Sequence, residues 1–407
     1  MSVPQRVVLT DPTPWGLVVL LGSLTAMGPL AIDMYLPSLP SISRDLHASP
    51  GEVSVTLAAF FAGLGCGQFI FGPLSDRIGR RPPLILGVAL FLVGAVLCAT
   101  ATNIWWLVAA RFLQALGGSA GQVITRATVR DRFSHQMAAR VLSLLMLVMG
   151  LAPIVAPIFG GYLLVGAGWQ SIFWFQAGYT VLLLIAVTFA MRESRPPEAR
   201  AHARGENVWR SYALLLGDRR VIGYALSGAF NSGAMFGWIA MSSYLLIEVY
   251  GVSPQDFGWW FSGNAIGFIG LSQVNAHLLR RWTPEEILVR ARPISIVFAA
   301  IIVLDAFTGW GGMLGVVIPL YLTIGSFGLV GPNTQAAAMN VDPMRTGAIS
   351  SIVGGFSFAM GATVSAAGGY LHDGTPRPFA ILEMVMIVAS SGALYLMAKP
   401  AAAQEPA

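Results

Sequence analysis

The sequence carries little charge. Only 11% of its 407 residues are Asp, Glu, Lys or Arg and 55% are hydrophobic, whereas soluble domains carry about 25% charge. A water-soluble protein cannot bury so much apolar surface, which excludes an ordinary cytosolic enzyme, a nucleic-acid-binding protein and a disordered chain. The apolar residues form long runs and do not alternate with polar ones, as they would in an outer-membrane barrel. The composition therefore predicts a helical protein that crosses a membrane many times.

Cysteine and histidine are also scarce. The two cysteines, Cys66 and Cys98, lie in apolar runs, and we interpret them as buried space-filling residues without a disulfide or a metal site. The five histidines lack ligand spacing, and the sequence has neither an H-E-x-x-H nor a G-x-x-x-x-G-K-[ST] motif. These absences argue against a polytopic membrane enzyme, against transport driven directly by ATP, and against a bound cofactor.

Charge-poor stretches, divided where turn and loop residues occur, predict twelve membrane helices, because each crossing needs about 20 residues. The polar segment 192–218 follows the sixth helix and is predicted to be a cytoplasmic linker with an amphipathic piece near Val208–Leu216. The chain would then comprise a six-helix half over 1–191, the linker, and a six-helix half over 219–407. The predicted helix bounds are 14–38, 52–73, 83–102, 104–128, 137–165, 169–191, 219–249, 254–279, 285–307, 311–339, 346–371 and 376–397.

The distribution of basic residues predicts the orientation in the membrane. Of the 24 Lys and Arg residues, all but Arg44, Arg111 and Arg377 fall in segments that lie on the same side as the two termini. By the positive-inside rule, both termini are then cytoplasmic. The net charge of +5 reflects this orientation and does not indicate nucleic-acid binding.

The loop after the second predicted helix, "GPLSDRIGRRP", carries the most specific motif. It resembles the loop signature of the major facilitator superfamily, G-x-L-S-D-R-x-G-R-R, and the resemblance implies a latch that stabilises one access state of a transporter. Its matching residues are Gly72, Asp76, Arg77, Gly79, Arg80 and Arg81. We expect Gly72 to permit close helix approach and Gly79 a tight turn. Asp76 would pair with a cytoplasmic arginine or with the start of the eleventh helix, near Arg345–Gly347; a loop that only sets topology is the alternative.

The fourth and fifth helices resemble further motifs of the same superfamily. "ARFLQALGGSAGQ" is similar to R-x-x-Q-G-x-G and places Arg111 within the membrane, where it needs a partner or a wet cavity; snorkelling to the outer interface is the alternative. "GLAPIVAPIFGG" resembles an antiporter motif that ends G-P-x-x-G-G, with Ala156 in place of one glycine. That resemblance favours export by exchange, although ordinary small-residue packing is possible. Its motif residues are Pro153, Pro157, Gly160 and Gly161.

The first helix contains "AIDMYLPSLPSIS", which resembles the first-helix signature of the bicyclomycin-resistance (Bcr/CflA) drug:proton antiporters. Together with the loop motif and "RATVRDRF" after helix four, the resemblance extends over essentially the whole chain. It implies the twelve-helix fold of the major facilitator superfamily and a place for Asp131 in the inner gate. By charge alone, we expect Asp131 to pair with Arg130 or Arg132.

Asp33 is the only charged residue in its apolar run. A carboxyl group without a partner in an apolar cavity favours its neutral form, so it can bind a proton from one side of the membrane and release it to the other. We therefore predict that Asp33 carries the coupled proton and that Arg111 influences it; a solvated acid at the helix end is the alternative. Asp305 and Glu383 are weaker candidates; we expect Asp305 to be an acid of an interfacial loop and Glu383 to lie near the outer boundary of its helix.

A cavity for drug-like compounds needs apolar and aromatic walls with a few polar groups. For each candidate, lipid contact or packing is the alternative. The candidates from the cavity-forming helices are Tyr35, Phe60, Phe61, Gln114, Asn231, Met235, Trp238, Asn264 and Gln273.

The sequence thus predicts a bacterial inner-membrane protein, not an enzyme, that exports hydrophobic or amphipathic compounds in exchange for protons. Antibiotics of the bicyclomycin or chloramphenicol class are the expected substrates, by alternating access between the two faces. The expected partners are a drug-like compound, protons and the lipid bilayer, and the family expectation is a functional monomer. The alternative is a proton-coupled transporter of a specific metabolite, such as an amino acid, a short peptide or a sugar.

Overall fold

The structure, a computed structural model, describes residues 15–198, 200–201 and 208–398. Within this part of the chain the secondary structure is helical, without strands. Short 3-10 turns occur at Leu36–Ser38 and Pro343–Arg345, and π-helical turns at Tyr244–Val249 and Ala393–Ala398. The α-helices are α1 (Trp15–Asp33), α2 (Leu39–Asp45), α3 (Pro50–Ile78), α4 (Arg81–Ala99), α5 (Ile104–Arg132), α6 (His135–Ala167), α7 (Gln170–Ala190), α8 (Val208–Leu216), α9 (Arg219–Ser243), α10 (Pro254–Leu278), α11 (Pro284–Thr308), α12 (Gly312–Val341), α13 (Thr346–Leu371) and α14 (Arg377–Gly392).

Ten helical stretches among the described residues are long and apolar enough to cross a membrane. The chain is therefore a multi-pass membrane protein. Helices α5 and α10 are also long, at 29 and 25 residues, but they contain more polar side chains. Each of the twelve predicted segments contains a long helix, with bounds that mostly agree to within a few residues, and the predicted amphipathic piece is helix α8.

The first predicted helix is wrong in one respect, because it is broken. Helix α1 ends at Asp33, a 3-10 turn follows, and α2 continues to Asp45. The cause lies in Pro37 and Pro40, whose nitrogens carry no hydrogen and cannot donate to the carbonyl groups one turn earlier. The Leu36 carbonyl accepts the Leu39 N–H instead, and the Ser243 hydroxyl of α9 adds a second donor at 2.5 Å from the carbonyl oxygen.

Helices that precede the linker pack against helices that follow it mainly through two pairs, α3 with α13 and α6 with α10. At the end of the molecule opposite the linker these pairs are in close contact. A Cβ atom on Gly51 would meet the ring of Tyr370, and one on Gly161 would meet the carbonyl oxygen of Pro254. The two groups of helices are therefore closed against each other at this end.

Helix α8 lies across the same interface at the linker end. The ring of Tyr212 in α8 contacts Phe69 of α3 edge-on, with 5.8 Å between ring centroids. Helix α8 also packs on α13. Between the three helices is an apolar pocket of about 350 Å³. Its lining residues are Phe69, Tyr212, Ala213, Leu216, Ile352 and Phe356.

Candidate functional site

Arg111 is the centre of a buried polar cluster, with 0% of its surface exposed. Its Nη1 donates to the Ala31 carbonyl oxygen at 3.1 Å and to Gln114 Oε1 at 2.8 Å. The Ala31 carbonyl lacks its usual helical donor because the Tyr35 N–H bonds instead to the Ile32 carbonyl, at 3.2 Å. The break in α1 thus provides the acceptor that Arg111 uses.

Aromatic rings surround the guanidinium group of Arg111. Its central carbon lies 4.0 Å from the ring centroid of Phe60, 4.5 Å from that of Tyr35 and 5.8 Å from that of Phe173. These cation–π contacts compensate part of the hydration that the cation loses on burial. The Arg111 side chain does not snorkel to an interface. Its Nε and Nη2 have no hydrogen-bond partner among the described residues, so two donors face the interior unused.

Two glutamines extend the cluster from α5 to α7. Gln114 Nε2 donates to Gln176 Oε1 at 2.8 Å, and Gln176 Nε2 donates to the Leu30 carbonyl oxygen at 3.4 Å. Gln176 was not predicted, although it is the one amide within the apolar run "IFWFQAGY", a signal that could have identified it. We refer to Tyr35, Phe60, Arg111, Gln114, Phe173 and Gln176 as the arginine cluster.

Asp33 lies at the break in α1, two residues beyond the carbonyl that Arg111 binds. It is 4% exposed and forms neither a hydrogen bond nor an ion pair with any residue that the structure describes. Asp33 and Arg111 are therefore not paired. A carboxylate without donors in an apolar setting has a large desolvation cost, which protonation removes.

The motif glycines of α6 bring this helix against two different neighbours. A Cβ atom on Gly160 would overlap the backbone of Met34, inside the break of α1, whereas one on Gly161 would meet Pro254 at the start of α10. Both contacts require a residue without a side chain. Pro153 and Pro157 lie within the same helix. The motif therefore joins the site of Asp33 to the helices beyond the linker.

A second buried arginine, Arg292 of α11, was assigned to a cytoplasmic segment by the sequence, and the structure corrects this. Arg292 lies within helix α11, and its side chain is buried among the neighbouring helices. Its Nη2 donates to the Ser227 hydroxyl at 2.9 Å and its Nη1 to Asn231 Oδ1 at 3.3 Å. The Ser390 hydroxyl in turn donates to the Ser227 carbonyl at 2.5 Å. Asn231 therefore belongs to this cluster.

The other aromatic candidates divide between two places. Phe61 contacts Phe236 at 4.3 Å between centroids, and Phe236 stacks on Phe358 at 5.7 Å, so three rings bridge α3, α9 and α13. Trp238 is instead buried between Phe261 and Phe379, at 5.9 and 5.7 Å.

The remaining cavity candidates lie on α9 and α10. Met235 is half-buried, and Asn264 is buried and donates to the Phe261 carbonyl at 3.1 Å. Gln273 is exposed on the helix face that also presents Ile266. That Gln273 lines the cavity with the others stays a prediction.

The loop motif forms a network within the helices that precede the linker. Arg80 donates from Nη1 to Asp76 at 2.8 Å and from Nε to Asp131 at 2.7 Å. Arg195 also pairs with Asp76, at 3.1 Å. Asp76 thus contacts arginines and not the start of α13. Asp131 reaches Arg80, which corrects the expected pairing with Arg130 or Arg132.

The glycines of the loop motif differ in what they do. Gly79 has φ +106°, a conformation that favours glycine and makes the turn. A Cβ atom on Gly72 would meet only Val123 at an ordinary 3.9 Å, so the expected close approach at Gly72 is wrong. Arg77 is exposed, and Arg81 Nη2 donates to the Thr188 carbonyl at 2.5 Å.

Glu193, which follows α7, was not predicted and holds this loop. Its carboxylate accepts hydrogen bonds from the backbone N–H groups of Arg80 at 2.8 Å and Arg81 at 3.1 Å, at the start of α4. It also accepts from those of Ser194 and Arg195, both at 2.9 Å. Partial burial opposes the charge, but these four donors outweigh it and lower the pKa of Glu193.

Two minor predictions are also corrected. Asp305 was expected in an interfacial loop but lies in the last turn of α11, buried, and accepts the Gly311 N–H at 2.5 Å. Glu383 lies in the second turn of α14 and is 1% exposed, and its place near an outer boundary stays a prediction. Cys66 is exposed on the surface of α3, whereas Cys98 is buried as expected, and both are free thiols.

Replacing Arg111 by lysine should destabilise the protein by about 1–3 kcal/mol, the cost of leaving a buried acceptor unsatisfied. Lysine keeps the charge but loses the planar group that contacts a carbonyl, an amide and a ring together. The measurement is thermal unfolding of the purified protein in detergent. Arg44→Lys, at an exposed site, is the matched control. Equal melting temperatures for the two variants would contradict the role of the arginine cluster in stability.

A multi-pass helical bundle with buried arginines and amides, and with helices broken or closely packed at these polar groups, is the architecture of a membrane transporter and not of an enzyme. The sequence profile of the Major Facilitator Superfamily matches residues 21–366. The chain belongs to this superfamily and, within it, to the drug:proton antiporter family that includes bicyclomycin resistance proteins.

Similar proteins agree with this assignment, two of them over nearly the full chain. YdgK of Bacillus subtilis, an uncharacterised transporter of the same superfamily, is 35% identical over 94% of this chain and 95% of its own. The bicyclomycin resistance protein homolog of Haemophilus influenzae is 30% identical over 93% and 95%. The multidrug resistance protein MdtL of Escherichia coli is 31% identical over 58% and 59%.

Among solved structures, an inward-facing bacterial homolog of the human lysosomal transporter Spinster has the same fold. Its TM-score is 0.76 at 14% identity, over 98% of this chain and all of that one.

Proposed function

We propose that this transporter exports hydrophobic or amphipathic drug-like compounds from a bacterial cell across the inner membrane, in exchange for protons that enter. The observation that carries the proposal is Asp33, a buried carboxyl group without a partner, at the break of α1 and beside the arginine cluster. The names of the relatives, bicyclomycin resistance and multidrug resistance, support drug-like compounds as substrates.

The exchange arises because the proton and the transported compound compete for the Asp33 carboxylate. Protonated Asp33 is neutral and is tolerated in the apolar interior, whereas ionised Asp33 needs a compensating group. A bound compound that supplies donors or positive charge at this place favours loss of the proton. Arg111 binds the Ala31 carbonyl at the same break of α1 and keeps two donors unused, and its influence on the Asp33 proton is part of this proposal. Proton and compound would thus bind alternately.

The proposed topology is twelve spans, with both termini in the cytoplasm and helices α1–α7 and α9–α14 as two halves that rock about the site. In that orientation the contacts of Gly51 and Gly161 close the outer face. Both halves belong to one chain, so a monomer is sufficient for transport. Charged segments at the linker end, which hold Arg80, Arg81 and Arg195, support the orientation.

The test uses the purified chain in liposomes with an acidic interior. Ethidium and chloramphenicol should accumulate inside as protons leave, and a protonophore should abolish the accumulation. Leucine, a dipeptide and xylose are the comparison compounds for metabolite transport. Accumulation of only these metabolites would contradict the substrate class, and accumulation that does not depend on the gradient would contradict proton coupling.

A further inference from the structure

A second buried acid, Glu383 of α14, takes no part in the proposed exchange at Asp33. Its side chain is 1% exposed, and its Oε1 atom has no hydrogen-bond partner in the described part of the chain. A carboxyl group that is buried without partners is costly whichever role it has, because even a neutral acid loses hydrogen bonds to water. Its presence therefore needs an explanation.

The surroundings of Glu383 contain further unused polar groups. Trp238 contacts Phe379, one helical turn before Glu383, at 5.7 Å between centroids, and stacks on Phe261 of α10 at 5.9 Å. The Trp238 indole Nε1 and Asn264 Oδ1 are also buried without partners. A donor and two acceptors from three helices thus lie unsatisfied around one aromatic stack.

No charged side chain of the described residues pairs with Glu383. On the elements that pack against α14, Arg292 is occupied by Ser227 and Asn231, and Asp305 by the Gly311 N–H. The other charged or titratable groups on these elements are Arg219, Arg220, Tyr224, Tyr244 and Glu248 around α9, Glu285, Glu286 and Arg290 on α11, Tyr370 on α13, and Arg377 and Tyr395 at α14 and its π-helical end.

The position of Glu383 corresponds to that of a residue in the arginine cluster. Gln176 is the seventh residue of α7, and Glu383 is the seventh residue of α14. These are the last long helices before and after the linker. Gln176 of the arginine cluster, in the helices before the linker, is therefore matched by Glu383 in the helices after the linker. Packing around Trp238 and Glu383 leaves both at 1% exposure, which excludes an organic cation from this place.

We propose that Glu383 is a second proton-binding carboxyl group of the transport cycle, located in the C-terminal helices. In the closed arrangement seen here it holds a proton as a neutral acid. When the helices separate and water enters, the carboxyl O–H bond breaks, the proton passes to water, and the carboxylate remains hydrated until it is protonated again. The inference rests on the proposed function, since it adds a second acid to the exchange.

Infrared difference spectroscopy of the full-length protein in lipid tests proton binding directly, without any transported compound. In the wild type, the band from the C=O stretch of protonated carboxyl groups should include one component that disappears as the pH is raised. The spectrum of Glu383→Gln should lack this component. Glu198→Gln, at an exposed site, is the matched control and should keep the component. A spectrum unchanged by Glu383→Gln, or a component that is lost in the variant but does not titrate in the wild type, would overturn the proposal.

Trp238→Phe provides a second variant that keeps the carboxyl group and the aromatic stack but removes the indole N–H. Its component should persist at the wild-type frequency and still titrate, because the indole N–H donates to no described residue; loss of the component would show that the signal depends on the indole and would overturn its assignment to Glu383. In liposomes, Glu383→Gln should exchange one proton fewer for each ethidium than the wild type. An unchanged ratio would overturn the coupling role. If no compound is transported even by the wild type, the proposed function fails while the infrared result still decides proton binding.

Discussion

Replacing Asp33 by asparagine is expected to reduce proton-driven accumulation to the level of protein-free liposomes. Asparagine has nearly the shape of a protonated aspartic acid but cannot release a proton. The transporter would therefore be held in its proton-loaded form, and a compound could not displace the proton. Since Asp33 forms no bond with any described residue, its replacement leaves the arginine cluster intact, and folding should be unaffected.

Two measurements separate loss of coupling from loss of structure. The first is ethidium accumulation in liposomes with an acidic interior, compared between Asp33→Asn and the wild type. The second is the melting temperature of the same preparations, which should agree. Asp45→Asn is the control, since Asp45 is an exposed acid at the end of α2 that accepts a bond from Trp169. Undiminished accumulation in Asp33→Asn would exclude Asp33 as the proton carrier.

Gly161→Ala is expected to prevent closure of the end opposite the linker. The added methyl group would overlap the carbonyl oxygen of Pro254 at the start of α10, and backbone cannot move aside as a flexible side chain can. Overpacking of this kind costs about 1–3 kcal/mol. The cost applies only to the closed arrangement, so the equilibrium should shift towards an arrangement in which these helices are apart.

Gly166→Ala is a closely matched control for this variant. Gly166 lies in the same helix α6, and nothing lies within 4 Å of a Cβ atom placed there. Both variants gain the same helix propensity, about 1 kcal/mol, so their difference isolates the contact with Pro254. The reporter is Ser54→Cys, buried at the closed interface, in a background without Cys66 and Cys98. Labelling by an impermeant maleimide should increase with Gly161→Ala alone, and equal labelling of both variants would exclude the closure role.

Most of the helices could be predicted from the sequence, because the thickness of the membrane requires an apolar run of similar length in every span. It also predicted helix α8, because an amphipathic segment beside charged residues is typical of a helix that lies at the membrane surface. The break in α1 was missed, although Pro37 and Pro40 are visible in the sequence. A proline does not break a membrane helix unless neighbouring groups satisfy the freed carbonyls, and those neighbours come from distant parts of the chain.

The same limit explains what was found and missed at the site. Asp33 and Arg111 were recognisable because any charge inside an apolar run is conspicuous. The sequence did not show that Asp33 and Arg111 are unpaired, because this depends on how α1 and α5 pack and on which face of α1 carries the Asp33 side chain. Arg292 was assigned to the cytoplasm because it lies near other arginines in sequence, whereas the hydroxyl and amide that bury it come from α9. Glu193 resembled an ordinary linker acid, since its four partners are backbone N–H groups, which leave no mark in the residue pattern.

The break in α1 also has a consequence for the order in which the protein is assembled. Among the helices that the structure describes, the ribosome makes this one first, yet its interrupted end is not completed by its own residues. The Ala31 carbonyl waits for Arg111, and the Leu36 carbonyl, which accepts the Leu39 N–H, waits for a second bond from Ser243, which is 207 residues further along the chain. Until Arg111 is made, the Ala31 carbonyl depends on water or lipid headgroups. Helix α1 is thus among the last of these helices to reach its final form, and early truncation products would carry an unfinished α1.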